Sequence, residues 1–316
     1  METQKNKPSA SPLRTLSKLG KRLIAGVLVV GVGILVVLIG AAAFLTYRIT
    51  TAHDTVENVT PASYLLSSYE NVDFTDRSGG EHKGWLLLGL RGAPVIILCH
   101  GYDSNRSALL SLGTVLQANH FNVYLFNFED SRSKGHFSDL GAREASVLTA
   151  AIARVRKLQG VDPRHVGLYG NSLGAYAVLA AGERDPAVDA LVVDGAYSRP
   201  VQLFDVQLDR LLGGAGWLFR HISRAEFHIL LSMGTSLPDV RSGLSSLAGK
   251  PKLFLASDDA PKLEEAARHL YQEAPQPKRL VVLPHTETAF VSGQERKEYE
   301  DQVLNFFLRN LPLRSD

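Results

Sequence analysis

The residues VGLYGNSLGAYAVLAA, numbers 166–181, decide how this chain folds. Positions 166–169 form a short apolar run of strand type, and 173–181 an apolar, small-residue run of helix type. Between them Gly170-Asn171-Ser172-Leu173-Gly174 fits the spacing G-x-S-x-G. A serine at so sharp a strand-to-helix turn is held in a strained backbone conformation. Glycines on either side let strand and helix approach without Cβ clashes. The turn pushes the Ser172 hydroxyl outward, where a base can reach it, and aims the Leu173 amide at a developing oxyanion near the helix N-terminus. A chain of this length meets the five-residue pattern by chance with a probability of roughly 0.1–0.2, so the flanking strand and helix carry the argument.

Working outward, apolar runs of strand length recur at 71–74, 84–88, 95–99, 123–127, 191–193, 253–255 and 280–283. From Val95 onward they are continuous rather than alternating, as parallel strands covered on both faces require. Amphipathic helices are expected at 141–159 and 263–273. A last helix opens on a capping box at 292–295 and buries Tyr299, Val303, Phe306 and Phe307. This alternation predicts a parallel sheet with right-handed crossovers and a functional face at the C-terminal ends of its strands. One segment, 197–249, breaks the alternation. Its helical patterns at 201–212 and 215–233 predict an insertion that roofs the site with apolar side chains such as Leu203, Phe204, Leu211, Leu212, Trp217, Phe227 and Leu230.

The run 23–47 is uncharged, mostly apolar and 25 residues long. About 20 residues suffice to cross a bilayer, whereas the apolar region of a cleaved signal peptide usually has about 7–15. Length therefore favours an uncleaved anchor, although Ala41-Ala42-Ala43 is small enough to resemble a cleavage region. Lys5, Lys7, Arg14, Lys18, Lys21 and Arg22 precede the run, and only Arg48 follows it closely. The positive-inside bias then puts the tail 1–22 in the cytoplasm and everything beyond the span on the outer side. A polar linker, 48–62, is expected to join the span to one domain, 63–316.

The formal charge of +2 is largely the surplus of that basic tail, and no basic stripe is interleaved with aromatics, so no nucleic-acid partner is expected. The ten histidines show no metal-ligand spacing, and no metal or cofactor is expected. The single cysteine, Cys99, has no partner for an internal disulfide and reads as a buried, inert thiol.

A serine hydroxyl is a poor nucleophile until a base takes its proton, and the base needs a third group to orient it. LVVLPH, 280–285, is a strand followed at once by His285, the expected base. LFLASDD, 253–259, ends a strand in two carboxylates. Asp259, a few residues past the strand, is the expected acid, and Asp258 suits a cap on the following turn. Asp194, directly after 191–193, is a third candidate, whose other role is to hydrogen-bond the loop 195–198. In VIILCHGY, 95–102, Gly101 lets the backbone come close and presents the Tyr102 amide as a second oxyanion donor, while His100 holds the loop.

Taken in order, HGYDSNRS (100–107), FNFEDSRSKG (126–135), VGLYGNSLGAYA (166–177), LFLASDDAP (253–261) and LPHTETAF (283–290) resemble the α/β-hydrolases. The resemblance runs from about Glu70 to the end. It points to the membrane-anchored α/β-hydrolase-domain branch and the related serine-aminopeptidase-like domain. It implies a mostly parallel central sheet with helices on both faces and a helical cap, preceded by one transmembrane helix. It also implies nucleophile Ser172, acid Asp259, base His285 and oxyanion amides at Tyr102 and Leu173. Two positions depart from the family: Ala175 stands where relatives usually have glycine, and Asn127-Phe128-Glu129-Asp130 where they show an Asp-Arg-Gly-like turn.

The expected function is that of a membrane-anchored serine hydrolase cleaving carboxylic esters through an acyl-enzyme. Its partners would be the lipid bilayer and a small-molecule ester or amide. A serine peptidase or amidase would want a polar pocket for a free amine, which the sequence does not reveal. A non-catalytic scaffold is disfavoured because all three triad positions are filled.

Overall fold

The computed structural model describes residues 12–51, 55–64, 66, 68–129, 137–213, 216–233, 239–285, 293–311 and 313. A 39-residue helix, α1 (Pro12–Thr50), comes first. Its segment Gly20–Thr50 is long and apolar enough to cross a membrane. Then follow β1 (Tyr69–Asn71), β2 (Phe74–Thr75), β3 (Glu81–His82), β4 (Gly84–Leu87), β5 (Ala93–Cys99), α2 (Leu110–Ala118), β6 (Asn122–Phe126), α3 (Ala142–Val155) and β7 (Val161–Asn171). The second half comprises α4 (Leu173–Gly182), β8 (Val188–Asp194), α5 (Pro200–Leu212), α6 (Trp217–Met233), β9 (Lys252–Ser257), α7 (Pro261–Glu273), β10 (Lys278–Leu283) and α8 (Gly293–Asn310).

Eight strands form one sheet in the order β1-β4-β6-β5-β7-β8-β9-β10, and β2 with β3 makes a separate ribbon. The pairings of β1 with β4 and of β4 with β6 are antiparallel. From β6 to β10 every pairing is parallel. The continuous apolar runs explain why. On β5, Val95, Ile97 and Cys99 join a core with Leu148 of α3 and Val178 of α4, while Ile96 and Leu98 join another with Leu116 of α2 and Phe307 of α8. Both faces are covered, so both must be apolar.

This layering also fixes where the sheet opens. From β5 the chain leaves toward the α2 face, and from the adjacent β7 it leaves toward the α4 face. The divergence leaves a crevice beyond the C-terminal ends of these two strands, the usual ligand position in such sheets.

Three expectations need adjusting. The run 71–74 is split, because β1 ends at Asn71 and β2 starts at Phe74 to pair with β3. Helix α2 was invisible in the sequence, since Gly113 breaks its propensity; the structure uses that glycine to seat Leu87 and Leu125. The segment 48–62 is no free linker. Helix α1 runs on to Thr50, and Glu57 then pairs with Arg106 at 2.7 Å and accepts from Asn127 Nδ2 at 2.8 Å. Residue 292 of the expected capping box lies outside the described residues; α8 starts at Gly293 and buries Tyr299, Val303 and Phe307, with Phe306 partly covered.

Candidate active site

Ser172 joins β7 to α4 with φ +48° and ψ −106°, in the positive-φ region that non-glycine residues rarely enter. Its amide donates to the Asp194 carbonyl at 2.7 Å, and its own carbonyl already accepts from Ala175 and Tyr176. The turn is therefore locked from both sides. Leu173 begins α4, so its amide belongs to the donors that a helix start leaves without intrahelical partners. The glycine spacing has a direct cause: a Cβ at Gly174 would stand 2.4 Å from the Cys99 carbonyl oxygen. The start of α4 thus presses against the end of β5.

The loop after β5 crosses the same turn. A Cβ at Gly101 would lie 2.5 Å from Asn171 Oδ1. His100 is buried, with Nδ1 2.9 Å from the Gly101 carbonyl oxygen and Nε2 accepting from the Phe128 amide at 3.1 Å. A neutral ring protonated on Nδ1 satisfies both bonds, as expected of a loop-holding residue. Burial, the largest single influence, works against a charged ring, yet the Glu129 carboxylate 3.5 Å from Nε2, the Gly101 carbonyl and the Glu144 carboxylate together outweigh it and raise the imidazole pKa. Glu129 belongs to the turn that departs from the family pattern, so the departure gives His100 a counter-charge. Tyr102 donates its hydroxyl to the Ile49 carbonyl of α1 at 2.9 Å, and burial pushes its phenol up to about 12. The loop beside Ser172 is thereby tied to the end of the apolar helix.

One narrow pocket is walled by Tyr102, Ser172, Gln207, Arg210, Asp259 and Leu263 among others. It brings together Tyr102, Ser172 and Asp259 with the third acid candidate, Asp194. Asp258 is exposed and not among its walls. His285 is at the right sheet edge but not in the pocket. Leu283 of β10 pairs with Ser257 of β9, and the Asp258 amide donates to the Leu283 carbonyl at 3.1 Å. Asp259 and His285 each lie two residues past this pair, in the loops that follow strands about 4.8 Å apart. The imidazole instead turns to α8, with Nδ1 3.2 Å from Glu295 Oε2 and its side chain 46% exposed.

The Asp194 carboxylate takes partners from distant elements. It is fully buried and accepts from Asn171 Nδ2 at 3.0 Å and from the Tyr299 hydroxyl at 2.9 Å, and the Tyr299 hydroxyl in turn meets that of Tyr169. Burial drives both phenols well above their ordinary range, so they remain protonated donors. This network braces the turn from below, because Asp194 also holds the Ser172 amide through its backbone.

The roof also differs from expectation. Phe204 and Phe227 stack on each other, 4.4 Å between ring centres, and are buried with Leu203 rather than lining the pocket. Leu211 and Trp217 are exposed. Among the described residues, the cap side chains that wall the pocket with Ser172 are the polar Gln207 and Arg210. Sequence reasoning missed them because they occupy the polar positions of an amphipathic helix, which usually face solvent. Asn171 was visible as the polar neighbour of the serine, whereas Tyr299 passed as core by its helical spacing.

No protein-family model matches the chain. YfhR of Escherichia coli O157:H7, an uncharacterised protein, is 28% identical over 255 residues, 77% of this chain and 82% of its own length. An esterase of Pyrococcus furiosus superposes with a TM-score of 0.61 at 18% identity, over 84% of this chain and 99% of its own. The dienelactone hydrolase of Anabaena variabilis gives 0.57 at 17%, over 78% and 100%. At such identities a structural likeness speaks for architecture alone. With a mostly parallel eight-stranded sheet, a serine on a strained strand-to-helix turn and these superpositions, the chain is a protein of the α/β-hydrolase fold.

Proposed function

We propose that the protein is a membrane-tethered serine hydrolase acting on carboxylic esters. The observation that carries the reading is Ser172, held at φ +48° on the rim of a pocket that Asp259 and Tyr102 also wall. In this reading Ser172 Oγ attacks the ester carbonyl carbon while His285 takes its proton. The oxyanion is met by the amides of Leu173 and Tyr102, each such donor being worth about 10²–10³ in turnover. Collapse expels the alcohol, which receives the proton from His285. Water, losing its proton to the same imidazole, then attacks the acyl-enzyme and releases the acid. Asp259 orients the ring and stabilises its charged form.

The reading requires His285 to leave Glu295 and turn toward the pocket. That rotation is cheap, because an exposed ion pair contributes only about 0–1 kcal/mol. The names of the structural neighbours, an esterase and a dienelactone hydrolase, agree with ester chemistry. Tethering rests on the uncharged stretch of α1. The lysines and arginines before it favour a cytoplasmic tail and a hydrolase domain on the outer side.

The test is a panel of p-nitrophenyl esters of graded chain length, run beside aminoacyl anilides on the full chain in detergent. Turnover of esters well above that of anilides is expected. Preference for anilides would reassign the enzyme as a peptidase, and folded protein that cleaves neither would make it a scaffold.

A further inference from the structure

Helix α6 presents an outward face without formal charge. Its exposed residues are Trp217, Leu218, His221, Ala225, His228, Ile229, Leu230 and Ser232, with Trp217 73% and Ile229 59% accessible. All three charged side chains of the helix turn inward. Arg220 pairs with Asp209 and Arg224 with Asp205, both on α5, and Glu226 accepts from Thr46 of α1 at 3.2 Å. Single exposed apolar residues need no explanation, but a continuous uncharged stripe carrying an exposed tryptophan does.

The neighbouring helix supplies the explanation. The buried side of α1 is the stripe Ala42, Thr46 and Ile49, with Leu38 and Leu45 partly covered. Ser223 donates to the Ala42 carbonyl at 3.4 Å, and one turn later Glu226 meets Thr46. Residue numbers rise together, so the two helices run in the same direction. Trp217 precedes Ser223 by six residues, which at 1.5 Å per residue places it about 9 Å back along α1 from the level of Ala42. That level lies well inside the apolar run 23–47.

We propose that the outer face of α6 is seated in the membrane, in the leaflet on the hydrolase-domain side of α1, with Trp217, at the inner end of the helix, among the acyl chains. The inference rests on α1 crossing the bilayer. There Trp217 and the apolar residues beside it lose their contact with water, which accounts for an exposed face that carries no charge. The stacked Phe204 and Phe227 and the two arginine–aspartate pairs fasten α6 to α5, which carries Gln207 and Arg210 over Ser172. The roof of the pocket is thus held at the lipid surface.

The chain has two tryptophans, and Trp85 is buried under the Arg106 guanidinium. Fluorescence of the full-length protein in phosphatidylcholine vesicles, with and without bromine on the acyl chains, therefore reads Trp217. Brominated lipid is expected to remove most of the Trp217 emission, and Trp217→Phe to abolish the bromine-dependent loss. If the protein floats with the vesicles yet bromine leaves its emission unchanged, or if the loss persists in Trp217→Phe, α6 does not meet the lipid although α1 is inserted. If the protein does not float with the vesicles, the tethering reading falls, and this inference falls with it.

Discussion

Ser172→Ala is expected to lower ester turnover by about 10⁶, the size seen when a triad nucleophile is removed elsewhere. The fold should survive, because alanine meets the same positive-φ cost as serine at this position, and circular dichroism would check that. The strain makes a companion variant informative. A non-glycine residue held in such a conformation costs on the order of 1–3 kcal/mol, and the surrounding structure sustains it. Ser172→Gly should therefore be as inactive as the alanine variant yet unfold at a higher urea concentration. Activity retained in Ser172→Ala would remove the nucleophile, and a Ser172→Gly variant no more stable than wild type would remove the strain.

The second large effect concerns the base and its orienting acid. His285→Ala should match Ser172→Ala, again about 10⁶, and Asp259→Asn should cost about 10⁴, with unfolding midpoints near wild type for both exposed positions. Asp194 and Glu295, two further carboxylates near these residues, should behave differently. Asp194→Asn puts an amide where the Asn171 amide and the Tyr299 hydroxyl donate. It should cost about 1–3 kcal/mol of stability, as a buried donor left unmatched does, and keep most of its turnover. Glu295→Gln removes only an exposed partner of His285 and should leave turnover close to wild type. If Glu295→Gln abolished turnover while Asp259→Asn did not, the orienting acid would come from α8.

These variants separate what the residue pattern determined from what only packing could reveal. The elbow was legible because a strand, a serine between spaced glycines and a helix constrain one another locally. All the continuous apolar runs from Val95 onward became sheet strands for a similar reason: a strand covered on both faces has no polar positions to blur it. Other features had no local signature. Gly113 disguised α2, although its purpose is to admit Leu87 and Leu125. The partners of Asp194 lie 23 and 105 residues away, so no spacing rule joins them. The apolar pattern of the cap was read correctly as amphipathic. Its faces were misassigned, because the pocket takes the polar side through Gln207 and Arg210 while part of the apolar side is exposed. The segment 48–62 read as a linker because its residues are polar, yet Glu57 spends that polarity on Arg106 and Asn127.

The central claim is that Ser172 is made nucleophilic by the imidazole of His285. Treating the folded, full-length protein with a fluorophosphonate and mapping the adduct by mass spectrometry tests this most directly. One phosphonylated residue, Ser172, is expected, with no adduct in His285→Ala. Folded protein that takes up no label, a label on a different serine, or undiminished labelling of Ser172 in His285→Ala would contradict it.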